Sequence, residues 1–134
     1  MKKSKSKHKH NFICIRNNDR YINADYIVAI LPYSSYKAAF ITSNEQSFIS
    51  YEPHTSNYYY DLLTAKQRQK LTPIKVLTFD TETYAYINFD YLIGINQIIR
   101  DAVAKCEFVF RFEVPNIGNP KFYISRDTFN KLIE

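Results

Sequence analysis

Glycine is nearly missing from this chain, with two residues in 134; tryptophan is absent, and there are one methionine and two cysteines. Each scarcity closes off a class of function. A loop that cradles phosphates needs glycines where the backbone must approach the anion, so a P-loop and a dinucleotide fingerprint are excluded. Cys14 and Cys106 stand too far apart in sequence for a disulfide framework or a zinc site. Each adjoins an apolar run, where a buried, reduced thiol is the expectation. There is no Cys-x-x-Cys, no His-Glu-x-x-His and no nucleophile elbow, and no histidine follows His54. No apolar run approaches the length of a membrane span, and the lysine-rich start is not followed by the apolar core of a signal peptide. A soluble, cytoplasmic protein with no membrane partner is expected.

What is present argues for a folded chain. Hydrophobic residues make up 46% and aromatics 16%, which is the composition of a globular protein of one domain or two very small ones. The formal charge of +5 is unevenly placed. Lys2, Lys3, Lys5, Lys7 and Lys9 supply five of the eighteen basic residues, which leaves thirteen against thirteen acids elsewhere. Residues 1–10 are therefore expected to be a disordered basic tail on a neutral body, and a nucleic-acid footprint spread over that body is not supported. Lys66, Arg68, Lys70 and Lys75 form the one local basic cluster in sequence. The twelve tyrosines read first as packing a core edge and second as platforms for stacking bases.

The pattern of elements predicts an α+β fold with antiparallel strands, in two sheet-plus-helix halves divided near Thr72. In residues 11–72, Phe12–Ile15 reads as a strand turned at Asn17-Asn18-Asp19. A second strand region covers Arg20–Ile30, broken at Asn23-Ala24-Asp25 and stopped by Pro32. Ala38–Thr42 and Ser47–Tyr51 alternate around a turn at 43–46, as in a hairpin. A helix capped by Thr55 or Ser56 is expected to run to about Leu71, with Tyr59, Leu62 and Leu63 facing the core. In residues 73–134, strands are expected over Ile74–Phe79, Tyr84–Ile95, Cys106–Val114 and Lys121–Ile124. Helical turns are expected around Ile98, Ile99, Ala102 and Val103. Ser125 then caps a terminal helix carrying Phe129, Leu132 and Ile133.

The stretch most like chemistry is Val76-Leu77-Thr78-Phe79-Asp80-Thr81-Glu82-Thr83-Tyr84. Read as a strand, its period of two puts Asp80 and Glu82 on one face, where two carboxylates repel unless a cation lies between them. The alternative is a polar hairpin turn with solvated carboxylates. Phe79-Asp80-Thr81-Glu82-Thr83-Tyr84 resembles the first motif of the DEDD 3′–5′ exonucleases, a motif shared by the proofreading domains of family B DNA polymerases. Asp90–Ile95 resembles that family's second strand, Phe108–Phe112 its third and Arg126–Glu134 its first helix. The resemblance spans residues 73–134 and implies the start of a ribonuclease H-like fold. It also implies Asp80 and Glu82 as catalytic, metal-holding residues, Mg2+ or Mn2+ as cofactor, and DNA as partner. The family's remaining acids come beyond its first helix, and the matches at Asn88-Phe89-Asp90 and at Tyr123 with Asp127 fall too early, so an incomplete active site is implied.

A second pattern competes with the first. Tyr21–Ile30 aligns with Tyr86–Ile95, six of the ten positions being identical, and each copy is followed by a hairpin and a helix, which reads as a tandem duplication. Each copy also resembles the small FlbD-type bacterial motility proteins. In this reading Asp25 and Asp90 are turn or capping groups. The chain is then a non-enzymatic binding or regulatory module for a protein partner, of phage or mobile-element type, with a single-stranded nucleic-acid binder as a further alternative.

Overall fold

Strand β1 (Phe12–Arg16) alternates buried Ile13 and Ile15 with exposed Phe12 and Arg16, the signature of a strand with one face on a core. In the computed structural model, which describes residues 10–77 and 82–134, it pairs antiparallel with β2 (Arg20–Asn23). A single 3-10 turn (Ala24–Tyr26) leads into β3 (Ile27–Ser34). Next come β4 (Lys37–Thr42), β5 (Gln46–Ile49), α1 (Ser56–Asp61) and α2 (Ala65–Gln69). The chain continues through β6 (Thr72–Val76), β7 (Thr83–Ile87), a second 3-10 turn (Phe89–Tyr91) and β8 (Leu92–Arg100). It finishes with β9 (Val103–Phe110), β10 (Lys121–Ser125) and α3 (Arg126–Ile133). The α+β class with antiparallel strands is as expected.

Three sheets form layers. The middle one has five strands in the order β5-β4-β3-β7-β6, flanked by the pair β1-β2 and by β10-β9-β8. One core fills the space between the middle sheet and the three-stranded sheet, with Val28, Leu31, Ile41, Ile74 and Ile87 meeting Phe108, Phe110 and Ile124. The other lies on the opposite face, where Ile30, Phe40 and Tyr86 meet Ile13, Ile15, Tyr59 and Leu63. β3 is buried from Ile27 to Pro32, with side chains in both cores, which is why Ile-Val-Ala-Ile-Leu is apolar without alternation.

The duplication read from sequence has a counterpart in the fold. β1-β2-turn-β3-β4-β5-α1 is matched in order and antiparallel pairing by β6-β7-turn-β8-β9-β10-α3. Tyr21–Ile30 and Tyr86–Ile95 occupy equivalent strands and turns. The side chains of Asn23 and Asn88 cap the two turns identically, each accepting from the amide of the aspartate two residues on at 3.0 Å. Strand pairing joins the halves: β3 meets β7 at Ala29 opposite Ile87 and Ile30 opposite Tyr86, so one sheet runs across the division near Thr72.

Five expectations are corrected. β6 stops at Val76, and the Leu77 amide donates to the Tyr123 carbonyl of β10 at 2.8 Å; Phe79, the expected end of the strand, lies outside the described residues. Ile98 and Ile99 belong to β8 and Val103 to β9, since cross-strand pairing outweighs a helical spacing of four residues. The expected single helix is two, separated at Leu62–Thr64, where Thr64 and Gln67 form a capping box. Leu62 is exposed while Tyr59 and Leu63 are buried. β3 continues past Pro32: opposite it, Ala38 turns its amide to Ser50 Oγ (3.0 Å) and its carbonyl to the Ser50 amide (2.9 Å). The missing N–H of Pro32 therefore faces the side of β7, where the pairing between β3 and β7 has stopped and the Tyr84 backbone bonds to Ser56 and Asn57 instead.

Candidate functional site

Asp80 lies outside the described residues. Glu82 sits in the connection between β6 and β7 rather than on a strand, with its carboxylate exposed and 3.5 Å from Lys75 Nζ. Its backbone carbonyl accepts from Asn57 Nδ2 at 2.9 Å. A divalent-cation site needs several converging oxygen ligands. Among the described residues no three His, Cys, Asp or Glu side chains gather, and Glu82 is paired with the Lys75 ammonium. The described residues alone do not fit the two-metal site that the exonuclease resemblance implies.

Compared with its counterpart in the first half, this connection is longer. Three residues, Asn17–Asp19, join β1 to β2, whereas residues 77–82 join β6 to β7. Asn57, in the first turn of α1, holds the start of β7. Its Oδ1 accepts from the Tyr84 amide (3.1 Å) and from the Tyr86 hydroxyl (3.0 Å), while Ser56 Oγ donates to the Tyr84 carbonyl (2.6 Å).

The other concentration of functional side chains is at the tip of the β3-β4 hairpin. β7 pairs with β3 only at Ala29 and Ile30, and β5 pairs with β4 from Ala39 to Thr42, so the turn from Tyr33 to Lys37 lies beyond the paired part of both neighbours. A bulge between Pro32 and Ser34 leaves Tyr33 out of register, and the Tyr36 amide is held by Ser34 Oγ at 3.3 Å. Tyr36 is 71% exposed and Tyr33 53%. No acidic residue occurs from Pro32 to Ala38.

Two neighbouring segments complete this end of the molecule. The Tyr51 amide donates to the Ile15 carbonyl at 2.7 Å, which brings its ring, 65% exposed, to the β1-β2 hairpin. The Arg16 guanidinium lies 5.1 Å and Lys37 Nζ 5.8 Å from the centre of that ring. One aromatic ring thus collects a cation from each hairpin. Arg20 lies over Phe48 in the same manner, at 5.3 Å. Two acids are near: Asp19, paired with Arg16 at 3.4 Å, and Glu52. His54, isolated in sequence, stacks on Tyr58 with 3.8 Å between ring centres.

The tyrosines divide differently from the sequence expectation. Tyr59 and Tyr86 are buried, but Tyr21, Tyr26, Tyr33, Tyr36, Tyr51 and Tyr58 are exposed, all of them in the first half. The signal available in sequence was local: Pro-Tyr-Ser-Ser-Tyr-Lys combines a proline, a turn and a cation, and a pair of tyrosines in a turn has no core to face. Of the aspartates expected as turn groups, Asp25 does more than that. Gln67 Nε2 donates to its carboxylate at 2.7 Å and this bond, ahead of weaker help from His10 and Lys70, holds its pKa below the ordinary value. Cys106 is buried and free, and burial raises its thiol pKa; Cys14 is free and half-buried. No helix among the described residues is long and apolar enough to cross a membrane.

The chain matches no protein-family model, no curated protein and no solved structure.

Proposed function

We propose that this protein is a binding module made of two related β units, which engages DNA with the tip of its β3-β4 hairpin. The observation that supports this reading is the exposed tip of that hairpin, carrying Tyr33, Ser34, Ser35, Tyr36 and Lys37 with no acid among them. A two-stranded ribbon fits the major groove of B-form DNA, and hydroxyl and cationic side chains at its tip are suited to base edges and phosphates. Arg16 and Lys37, both resting on Tyr51, supply phosphate contacts from two hairpins at once. The exposed rings of Tyr33, Tyr36 and Tyr51 favour a second mode, stacking on the bases of a single strand. The metal-dependent exonuclease reading rests on the resemblance of residues 73–134, in the motif at 79–84 and the order of the elements that follow.

Fluorescence anisotropy with labelled duplex and single-stranded oligonucleotides, over a range of salt, tests the proposal. Affinity is expected to fall with salt and to persist after deletion of residues 1–9. Lys37→Ala is expected to lower the salt slope by about one. Tighter binding to duplex identifies the groove mode, and a loss of about 1–3 kcal/mol in Tyr36→Ala with single strands identifies stacking. Binding that vanishes with the lysine tail, or that ignores Arg16→Ala and Lys37→Ala together, overturns it.

A further inference from the structure

The two units of this chain are joined by an interface that uses different surfaces on each. The first unit offers the edge of β3, the second the edge of β7. Shifted by the repeat, β3 corresponds to β8 and β7 corresponds to β2. Both of those edges are open among the described residues: β8 ends its three-stranded sheet, and β2 has β1 as its one neighbour. The contact that joins the halves is thus available again, once at each end of the molecule.

The side chains bear the same imprint. Val28, on β3, is 3% exposed, whereas its counterpart Ile93 on β8 is 73% exposed. Tyr86, on β7, is 6% exposed, and its counterpart Tyr21 on β2 is 51% exposed. Val28 and Tyr86, on the two strands of the joint and buried within the chain, thus have equivalents of the same chemistry that stand in solvent at the two ends. A groove of about 340 Å³ opens beside β2, lined by Tyr21, Ile22, Tyr26 and Phe48 among others. Ile98 (50%) and Ile99 (39%) extend the apolar surface of β8. Long, exposed apolar edges invite strand addition unless a partner covers them.

The geometry points to a second copy of this chain as that partner, with β8 of one molecule pairing antiparallel to β2 of the next. The register of the internal joint carries over, placing Gly94 opposite Ile22 and Ile95 opposite Tyr21 of the neighbour, as Ala29 stands opposite Ile87 and Ile30 opposite Tyr86. The contact is head-to-tail, since the two surfaces differ, and it propagates into a ring or an open series rather than stopping at a symmetric dimer.

Sedimentation velocity of the full chain without DNA, over a wide range of concentration, tests this. The wild type is expected to grow beyond a dimer as concentration rises. Ile93→Lys blocks β8 and Tyr21→Lys blocks β2, so each variant alone is expected to stay monomeric. Mixed in equal amounts, they are expected to form a dimer and nothing larger, because each retains the edge the other lacks. Circular dichroism confirms folding, with Ile98→Lys and Tyr26→Lys replacing any variant that fails to fold. A wild type that stays monomeric throughout, a Tyr21→Lys chain that still self-associates through β8, or a mixture that stays monomeric overturns the inference.

Discussion

Replacing Tyr59 by phenylalanine should make this protein more stable. Tyr59 is fully buried in the core beneath β1 and α1, edge-on to Phe40 with 5.0 Å between ring centres. Its hydroxyl has no hydrogen-bond partner of good geometry. The Ser50 hydroxyl beside it already accepts from the Ala38 amide at 3.0 Å and points to the Glu52 carbonyl at 3.5 Å. A buried hydroxyl left unpaired costs about 1–3 kcal/mol of desolvation, while the dispersion contacts of one oxygen are each about 0.1–0.2 kcal/mol. The balance favours Tyr59→Phe by about 1 kcal/mol, or roughly 4 °C in Tm for a chain of this size. Tyr86→Phe is the matched control: its hydroxyl donates to Asn57 Oδ1 at 3.0 Å, so the same change should cost about 1 kcal/mol. Urea denaturation reads both, as opposite movements of the midpoint at unchanged m-value. A Tyr59→Phe protein destabilised by 1 kcal/mol or more refutes the reasoning, because its hydroxyl must then be well bonded.

Burial raises the pKa of both phenols above the ordinary 10.0. Their neutral forms are preferred in the fold, so the associated stability is complete below pH 10.0 and declines as pH rises above it. Denaturation midpoints should fall on that alkaline limb, less steeply in the double variant Tyr59→Phe/Tyr86→Phe. Asn23→Ala and Asn88→Ala remove equivalent caps and should each cost about 1 kcal/mol; thermal melts showing one of them neutral would break the equivalence of the two turns. Manganese should leave the melting temperature of the wild type where it is, and match that of Asp80→Ala; a rise abolished by Asp80→Ala would instead support the metal-holding reading.

Much of the architecture was legible in the sequence because neighbouring residues carried it. Asn23 and Asn88 announce their turns, Thr42 to Gln46 announces a hairpin, and six identities between Tyr21–Ile30 and Tyr86–Ile95 announce the repeat. The errors came where distant partners decided. Nothing near Leu77 indicates that its amide will bind the Tyr123 carbonyl of β10. Ile98, Ile99, Ala102 and Val103 satisfy a helical spacing, and only pairing across the β8-β9 hairpin removes the ambiguity. The hairpin tip was overlooked for a related reason. That Tyr33 and Tyr36 are exposed depends on where the pairing of β5 and β7 stops, which no residue of the tip itself encodes.

The clasp made by Asn57 bears on how the chain comes into being. Synthesis supplies the first unit early, and it is expected to begin folding as soon as it emerges. Until residues 83–87 are made, one margin of β3 stays bare and the Asn57 amide has no Glu82 or Tyr84 backbone to hold. Slower translation across residues 58–87 lengthens the interval in which that margin of β3 is uncovered.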